Sequence, residues 1–292
     1  MSLLVVGSAK GAPGVTTVAT ALAAVWPEPA VLADCDPAGG DLALRLQSPD
    51  GGWLARDRGL LGLAAAAKVL ADGAVEGGLD VGAQLQLATG GLPVLVGVES
   101  AAQAQSIGGL WPQLADSLAM ADARVIADCG RLIGTDTPVP LVACADALVL
   151  VARPTLEQVA HLRSLLDHIN AVVRDPRVWV ALIGPRESAR RDVADVAGAL
   201  AAGDHQRIAP VVRAVATDPR AADGLCGRPT KGLDRSTLIA DVRRLAAELS
   251  ACLVAPAATP SDAPGDRGAD VLPSAATRGR LVDVSDRALG IR

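Results

Sequence analysis

The 292-residue sequence contains no phenylalanine and no tyrosine, and it contains only four tryptophans. Proteins that bind single-stranded nucleic acid stack successive bases on aromatic side chains. A chain with so few aromatic rings has little material for such a surface. The composition therefore argues against a protein that reads RNA or single-stranded DNA.

Paired cysteines are also missing. None of the five cysteines belongs to a C-x-x-C pair, and the three histidines are isolated from one another. Residues scattered in this way favour neither a zinc site nor a disulfide framework. The cysteines are Cys35, Cys129, Cys144, Cys226 and Cys252.

Long apolar runs are absent as well. No stretch approaches the ~18 apolar residues of a membrane-spanning helix. The opening MSLLVVGSAKG has no basic leader and only a short apolar run, unlike a signal peptide. We therefore expect a cytoplasmic protein, with peripheral association at a membrane or the nucleoid left open.

Charge is unevenly distributed along the chain. Residues 1–173 carry 9 positive and 17 negative side chains, whereas residues 174–250 carry 13 positive and 10 negative ones. A basic segment on an acidic protein can face DNA, acidic lipid or an acidic partner. The alternative is that its arginines are ordinary solvent-exposed residues on helix surfaces.

Short apolar runs and helical patterns alternate along the chain. Buried parallel strands are typically short apolar runs that end at glycine, aspartate or turn residues. Such runs occupy 3–6, 30–33, 92–98, 123–130, 146–152, 178–184 and 208–212. Strands that alternate with helices predict an α/β fold with a mostly parallel twisted sheet and helices on both faces.

Helices are expected between these strands. One ends at Trp26, one lies within 100–120, and the last begins after Ser236. Another follows a capping box of Thr155 and Gln158, with an apolar stripe that is predicted to begin at Leu156. The Gly- and Ala-rich segment 50–91 shows weak helical periodicity, and helices are also expected there.

The composition changes near residue 253. The segment APAATPSDAPGDRGAD is rich in proline, alanine and aspartate. Such a segment cannot bury enough apolar surface to offset its ordering entropy. We therefore expect residues 1–252 to form the folded domain and residues 253–292 to form a disordered C-terminal tail.

The stretch SAKGAPGVTT, residues 8–17, follows the first apolar run. A phosphate-binding loop directs backbone N–H groups at anionic oxygens from a helix N-terminus, with glycines for close approach and Ser or Thr for Mg²⁺. Here glycines line the loop, and Thr16 and Thr17 open the predicted helix. A plain turn would explain the glycines, but neither Lys10 nor the paired threonines.

The loop resembles the deviant Walker A motif, K-G-G-x-G-K-[ST]-[ST], of the MinD/ParA family of P-loop ATPases. Five positions match the motif, namely Lys10, Gly11, Gly14, Thr16 and Thr17. Four depart from it, namely Ala9, Ala12, Pro13 and Val15. The resemblance implies an ATP-binding P-loop fold, with the phosphates surrounded by Lys10, Gly11, Ala12, Pro13, Gly14, Val15, Thr16 and Thr17.

Two lysine positions distinguish this motif. In the family the first lysine reaches the partner's phosphates across a nucleotide-sandwiched dimer, so the resemblance implies a catalytic role for Lys10. The second contacts phosphate within its own subunit, and Val15 replaces it. A charged hydrogen bond to phosphate contributes about 1.5–3 kcal/mol. We therefore expect nucleotide binding that depends on dimerisation, and slow or defective hydrolysis.

Three aspartates resemble the family's switch and metal residues. ADCDPAGGDLA is similar to the first switch, in which Asp36 would orient the attacking water and Asp34 would lie near the metal. VIADCG is similar to the Walker B strand, which implies that Asp128 lies beside Mg²⁺. With Thr16, these residues are implied to surround the Mg²⁺ position. One such aspartate could simply cap a turn, but the carboxyl ends of parallel strands converge on one crevice.

The later part of the chain carries further similarities, so that the resemblance covers residues 3–250. ADALVLVARPTLEQVAHL resembles the strand–helix segment after the second switch. VATDPRAADGLCGRP resembles a loop of the MinD-like and CpaE/TadZ-like branches, the latter being the nearer because it tolerates irregular Walker loops. The family commonly has a base-binding asparagine where this chain has Gly184-Pro185-Arg186, which leaves a backbone contact at Pro185.

Three functions remain open. The first is an ATP-dependent dimerising switch that positions a septum, a chromosome, or a pilus or secretion machine. The second is an inactive adaptor that acts through protein contacts. The third is a partition ATPase that binds DNA non-specifically through residues 174–250, which together with the tail are also the candidates for membrane contact. A nitrogenase-iron-protein-like reductase is disfavoured because paired cluster cysteines are missing.

Overall fold

The structure is a computed structural model that describes seven segments of the chain. The described residues are 3–11, 14–71, 78–132, 138–173, 177–203, 208–228 and 230–254. The tail predicted for 253–292 lies outside them except for its first two residues, so its disorder stays a prediction. Among the described helices, none is both long enough and apolar enough to cross a bilayer.

A single eight-stranded sheet organises the molecule. Its strands are β1 (Leu3–Ser8), β2 (Ala30–Asp34), β3 (Gln86–Leu87), β4 (Pro93–Leu95), β5 (Arg124–Arg131), β6 (Ala147–Ala152), β7 (Val178–Gly184) and β8 (Val211–Ala216). They follow the order β3-β4-β2-β5-β1-β6-β7-β8. Only the pairing of β3 with β4 is antiparallel among these strands, so the other seven strands end at the same edge of the sheet.

Ten α-helices connect or flank the described strands. They are α1 (Val15–Val25), α2 (Leu42–Arg45), α3 (Leu60–Ala71), α4 (Ala101–Ser106), α5 (Trp111–Ala119), α6 (Val139–Cys144), α7 (Leu156–Val172), α8 (Arg186–Ala201), α9 (Pro219–Leu225) and α10 (Thr237–Val254). The expected helices before Trp26, within 100–120 and after Ser236 are therefore confirmed. Ser236 caps α10 by accepting a hydrogen bond from the Ile239 N–H at 3.2 Å.

Apolar side chains are buried on both faces of the sheet. Strand β1 shows why, because Leu3 and Val5 join one buried cluster while Leu4 and Val6 join the other. Successive side chains of a strand point to opposite faces, so a continuous apolar run fits a strand that is covered on both sides. Helices α3, α5, α7 and α8 cover the first face, and α1 and α10 cover the second. The predicted α/β architecture is confirmed.

The last strand lies further along the chain than predicted. We expected it at 208–212, and the structure places β8 at Val211–Ala216. Proline has no N–H to donate to a strand ladder, so Pro210 is poorly suited to the interior of a paired strand. Pairing with β7 accordingly begins one residue later, where Val211 faces Trp179.

Helix α7 differs from its predicted pattern at its first turn. Thr155 caps the helix as expected, since its side chain accepts the Gln158 N–H at 3.5 Å. The Gln158 side chain, however, accepts the N–H of Arg153 at 2.8 Å, so the reciprocal capping-box contact is absent. Leu156, predicted to begin the buried stripe, is 86% exposed. The first fully buried residue of α7 is Leu162, and in the preceding turn the partly buried Val159 packs against the core.

Candidate functional site

The loop between β1 and α1 lies at the carboxyl edge of the sheet, beside its central strands. Gly14 takes the position before α1 in a left-handed conformation with φ of 108°, which favours glycine because other residues meet Cβ strain there. Gly11 also has a positive φ, of 48°. Ala12 and Pro13 lie outside the described residues, so their predicted contacts with phosphate stay predictions.

The two lysine positions of the motif have opposite environments. Val15 is only 5% exposed and packs into the core of the α1 face. Lys10 is exposed and has no hydrogen-bond or ion-pair partner within the described part of the chain. The first turn of α1 therefore presents backbone N–H groups without a charged side chain of its own.

Two carboxylates lie side by side where β2 and β5 end. Asp34 and Asp128 are direct register partners in the sheet, with 1% and 2% of their surfaces exposed. Burial raises the pKa of Asp34 to about 8, with a further contribution from the neighbouring Asp128. Burial also raises the pKa of Asp128 to about 6, although the Thr16 hydroxyl, hydrogen-bonded to this carboxylate, acts in the opposite direction. At neutral pH, Asp34 therefore carries a proton.

Close packing holds the Asp34 carboxyl in place. Its Oδ2 accepts the Leu42 N–H at 3.1 Å, whereas its Oδ1 is buried and has no hydrogen-bond partner among the described residues. A Cβ atom added to Gly40 or Gly97 would collide with this carboxyl group. The unpartnered oxygen is the kind of buried polar atom that a bound ion or water would satisfy.

Asp36 lies nearer to solvent than the other two aspartates. Its Oδ1 accepts the Ala38 N–H at 2.8 Å, and its pKa is raised, mainly by burial. Gly130 lies two residues after Asp128 and has a φ of 57°. A Cβ atom on Gly130 would collide with the Asp36 carboxyl. The structure therefore brings Asp36, from the segment after β2, against Gly130 in β5.

The predicted Mg²⁺ ligands form a small set of oxygen donors. Among the described residues, no group of three or more His, Cys, Asp or Glu side chains is arranged to hold a metal. Mg²⁺ commonly binds one or two carboxylates and completes its octahedron with phosphate oxygens and water. The hydrogen-bonded pair of Thr16 and Asp128 fits that requirement without a third carboxylate.

A cavity of about 180 Å³ lies on the other side of the loop. Gly14 and Thr17 line it from the loop, Arg153 from the end of β6, and Ile183 from the end of β7. Asp218, whose carboxylate caps α9 by accepting the Ala221 N–H at 3.1 Å, lines it from the segment after β8. The cavity opens directly onto the helix start that would hold phosphate.

The predicted base contact at Pro185 is not part of this cavity. Pro185 is exposed and precedes α8, while Ile183, two residues earlier, supplies the lining. The Gly184 carbonyl accepts the Thr217 N–H at 2.8 Å, which ties the segment after β8 to the end of β7. Thr217 and its neighbours, rather than Pro185, bring backbone groups to the cavity.

Comparison with known proteins adds to this geometry. No protein-family model matches the chain, and no curated sequence matches it. Solved structures do match. A ParA family ATPase from Chlorobium tepidum superposes with a TM-score of 0.62 at 18% identity, over 85% of this chain and 98% of the other. The chain has the ParA/MinD fold.

Two further structures with the ParA/MinD fold contain nucleotides. MinD from Pyrococcus horikoshii, complexed with Mg-ADP, has a TM-score of 0.61 at 17% identity, over 87% of this chain and 97% of MinD. A variant of McdA from Cyanothece, complexed with ATP, has a TM-score of 0.58 at 15% identity, over 85% of this chain and 96% of McdA. At these identities, the likeness concerns the fold of this chain.

Several residues beside the loop were not identified from the sequence. Arg45 contacts the Thr17 hydroxyl, and Arg153 lines the cavity, although the sequence assigned neither residue a role at the site. Cys35 and Cys129 directly follow the two buried aspartates and contact one another with their side chains. Sequence spacing could not reveal these contacts, because each joins residues from separate strands or helices.

Proposed function

We propose that this chain is a ParA/MinD-type switch that binds ATP with Mg²⁺, pairs with a second copy while nucleotide is bound, and positions a cellular cargo. The observation that carries the proposal is the pair of buried aspartates, Asp34 and Asp128, at adjacent strand ends beside the loop. Buried carboxylates with raised pKa values are costly to a fold and mark functional sites. Their position at the crevice of a parallel sheet is where ligands bind such folds.

Each part of the site has a role in this proposal. The N–H groups at the start of α1 bind phosphate oxygens, and the cavity lined by Ile183 takes the nucleoside. Thr16 and Asp128 hold Mg²⁺, which supplies neutralisation of the phosphate charge when bound. Asp36, more accessible than Asp34, orients the attacking water. Asp34 supports this arrangement through its hydrogen bond from Leu42.

The residues at the two lysine positions favour slow hydrolysis and a nucleotide affinity that depends on a second copy of the chain. Phosphoryl transfer relies on fixed positive charge near the transferred group, and buried Val15 supplies none. Exposed Lys10 is free to reach a second copy of the chain. A degenerate loop of this kind is the reason for placing the chain nearest to the CpaE/TadZ-like branch.

Sedimentation velocity tests the switch. With Mg²⁺ and a slowly hydrolysed ATP analogue, we expect wild type to shift from monomer to dimer, and nucleotide affinity to rise with protein concentration because linkage is reciprocal. Lys10→Ala should remove both effects, whereas Lys68→Ala, which changes another exposed lysine on α3, should not. Dimerisation of Lys10→Ala equal to wild type would contradict the proposed role of Lys10.

An inactive adaptor is the second candidate, and the burial of Val15 favours it. A loop whose lysine position is packed into the core has lost a charged contact with phosphate. The melting temperature discriminates the two functions. If millimolar Mg-ATP leaves the melting temperature of wild type unchanged, the adaptor replaces the switch.

The DNA-binding alternative has less support from the described arginines of 174–250. Arg213 pairs with Glu248, and Arg228 pairs with Asp223, each within 2.9 Å. Arg190 and Arg244 both contact the carboxylate of Asp241. These pairs reduce the positive charge that is available to a phosphate backbone. Salt-dependent retention on double-stranded DNA would restore this alternative.

A further inference from the structure

The burial of Val15 raises the question of which cation in the same subunit meets the nucleotide phosphates. Lys10 reaches solvent, and Arg153 lines the nucleoside cavity. A third cation, Arg45, ends the short helix α2 that follows the first-switch segment. Its guanidinium extends to the start of α1, so it lies beside the loop although it is distant from the loop in sequence.

Among the described residues, the Arg45 side chain makes two hydrogen bonds, both to neutral groups. Its Nη2 donates to the Thr17 Oγ1 at 3.4 Å, and its Nε donates to the Cys226 Sγ at 3.4 Å. The distance to the threonine oxygen is at the long end of hydrogen bonding, and a thiol sulfur is a weak acceptor. Within the described part of the chain, Arg45 has no carboxylate partner in an ion pair, unlike Arg213 and Arg228. Arg45 is therefore a half-buried cation with weak partners.

The contact with Thr17 places the Arg45 guanidinium beside the N-terminal end of α1. Thr17 lies in the first turn of α1, where the N–H groups have no acceptor within the helix. Thr16, the residue before it, hydrogen-bonds Asp128, and the charge of Arg45 is close enough to act on that carboxylate. An anion held at the start of α1 would therefore lie within reach of Arg45.

We propose that Arg45 binds the nucleotide phosphates in its own subunit, in the place of the lysine that Val15 replaces. This inference rests on the proposed function and assigns a phosphate-binding residue to that same site. The guanidinium exchanges its weak contacts with Thr17 and Cys226 for charged hydrogen bonds to phosphate oxygens, which it can form in bidentate geometry. Arg45 then supplies phosphate contacts within one subunit, and Lys10 strengthens nucleotide binding when a second copy pairs.

The test measures ADP and adenosine binding by isothermal titration on the full chain, at protein concentrations where wild type is monomeric. We expect Arg45→Gln to weaken ADP binding by about ten- to a hundredfold. Adenosine has no phosphate, so its binding should not change. Arg228→Gln, which removes an arginine from the same groove that is already paired with Asp223, is the matched control and should bind ADP as wild type does.

A rescue experiment separates phosphate binding from a structural role. In the Arg45→Gln background, Val15→Lys should return ADP affinity towards the wild-type value, because it restores a cation at the helix start. A residue that only supports packing would not be rescued in this way. If Arg45→Gln does not fold, Arg45→Lys takes its place, and we expect it to weaken ADP binding about tenfold, because lysine keeps the charge but loses the bidentate contact.

The outcomes separate this inference from the proposed function. If wild type binds ADP and Arg45→Gln binds it equally well, the role of Arg45 is wrong and the switch remains. If ADP and adenosine binding fall together, Arg45 supports the cavity rather than phosphate, and the inference is also wrong. If wild type binds ADP neither as a monomer nor at concentrations where it dimerises, both the inference and the proposed function fail.

Discussion

The two halves of the candidate site are built differently. At the ends of β2 and β5, Asp34 and Asp128 are almost fully buried, and glycines leave no space around the Asp34 carboxyl. At the ends of β7 and β8, an open cavity of about 180 Å³ is lined by Ile183 and by the chain that follows β8. The geometry at the ends of β2 and β5 therefore depends on particular side chains. The geometry at the ends of β7 and β8 depends on the shape of the cavity and on backbone groups. A change such as Gly184-Pro185 in place of asparagine is therefore easier to accommodate in the second half.

The largest expected effect concerns the carboxylate half. Asp128→Ala removes the hydrogen-bond partner of Thr16 and should abolish the Mg²⁺-dependent part of nucleotide stabilisation. For a wild type saturated at a hundred times its dissociation constant, that stabilisation is about 2.7 kcal/mol. In a chain of this size, it corresponds to a shift of roughly 5–10 °C in melting temperature.

Differential scanning fluorimetry with and without Mg-ATP checks this prediction. Asp146→Ala is the control, because Asp146 accepts the Leu3 N–H at 2.9 Å at the opposite edge of the sheet. It should leave the Mg²⁺-dependent shift unchanged. A full shift in Asp128→Ala would show that the carboxylate half does not hold the metal.

A smaller effect should follow from the proton on Asp34. The folded chain keeps this proton up to about pH 8, whereas the unfolded carboxyl loses it near pH 3.8. The folded state therefore binds more protons between these values, and the wild type loses stability as the pH rises through this window. Asparagine has no proton to lose, so Asp34→Asn should be the more stable chain at pH 8, by about 1–3 kcal/mol.

Urea unfolding at several pH values measures this difference. The advantage of Asp34→Asn should be small at pH 4, grow towards pH 8 and stay constant above it. Asp146→Asn, at an exposed carboxylate, serves as the control and should show no such trend. An advantage that is independent of pH would mean that Asp34 is not the titrating group.

The smallest effect is expected in the cavity at the ends of β7 and β8. Arg153→Ala removes one cation from the cavity lining but leaves its backbone walls intact. The loss of one contact of about 1 kcal/mol should weaken binding of adenosine and ADP by about fivefold each. Titration calorimetry with both ligands checks the prediction. Weaker binding of ADP alone would mean that Arg153 contacts the phosphates, and the proposed distinction between the two halves would be wrong.

The sequence predicted the parts of the fold that local patterns control. The apolar runs predicted the strands; for example, β7 occupies 178–184 as expected. The Ser236 cap predicted the start of α10. Two errors had different causes, one in tertiary packing and one in local backbone chemistry. Leu156 fitted a helical stripe, yet its side chain at the start of α7 is exposed, and the core contacts of this helix begin with Val159. Strand β8 began later than its apolar run because Pro210 cannot donate to the ladder.

The amino-acid sequence by itself determined which residues the site could use. It placed a glycine-rich loop before a helix and aspartates at strand ends, because backbone geometry restricts where such residues fit. Only the tertiary structure decided how they meet. Asp34 and Asp128 became register partners through the pairing of β2 with β5, and burial then raised the pKa of both. The contact of Arg45 with Thr17 likewise depends on how α2 packs against α1, because contacts between separate elements are set by folding and not by sequence spacing.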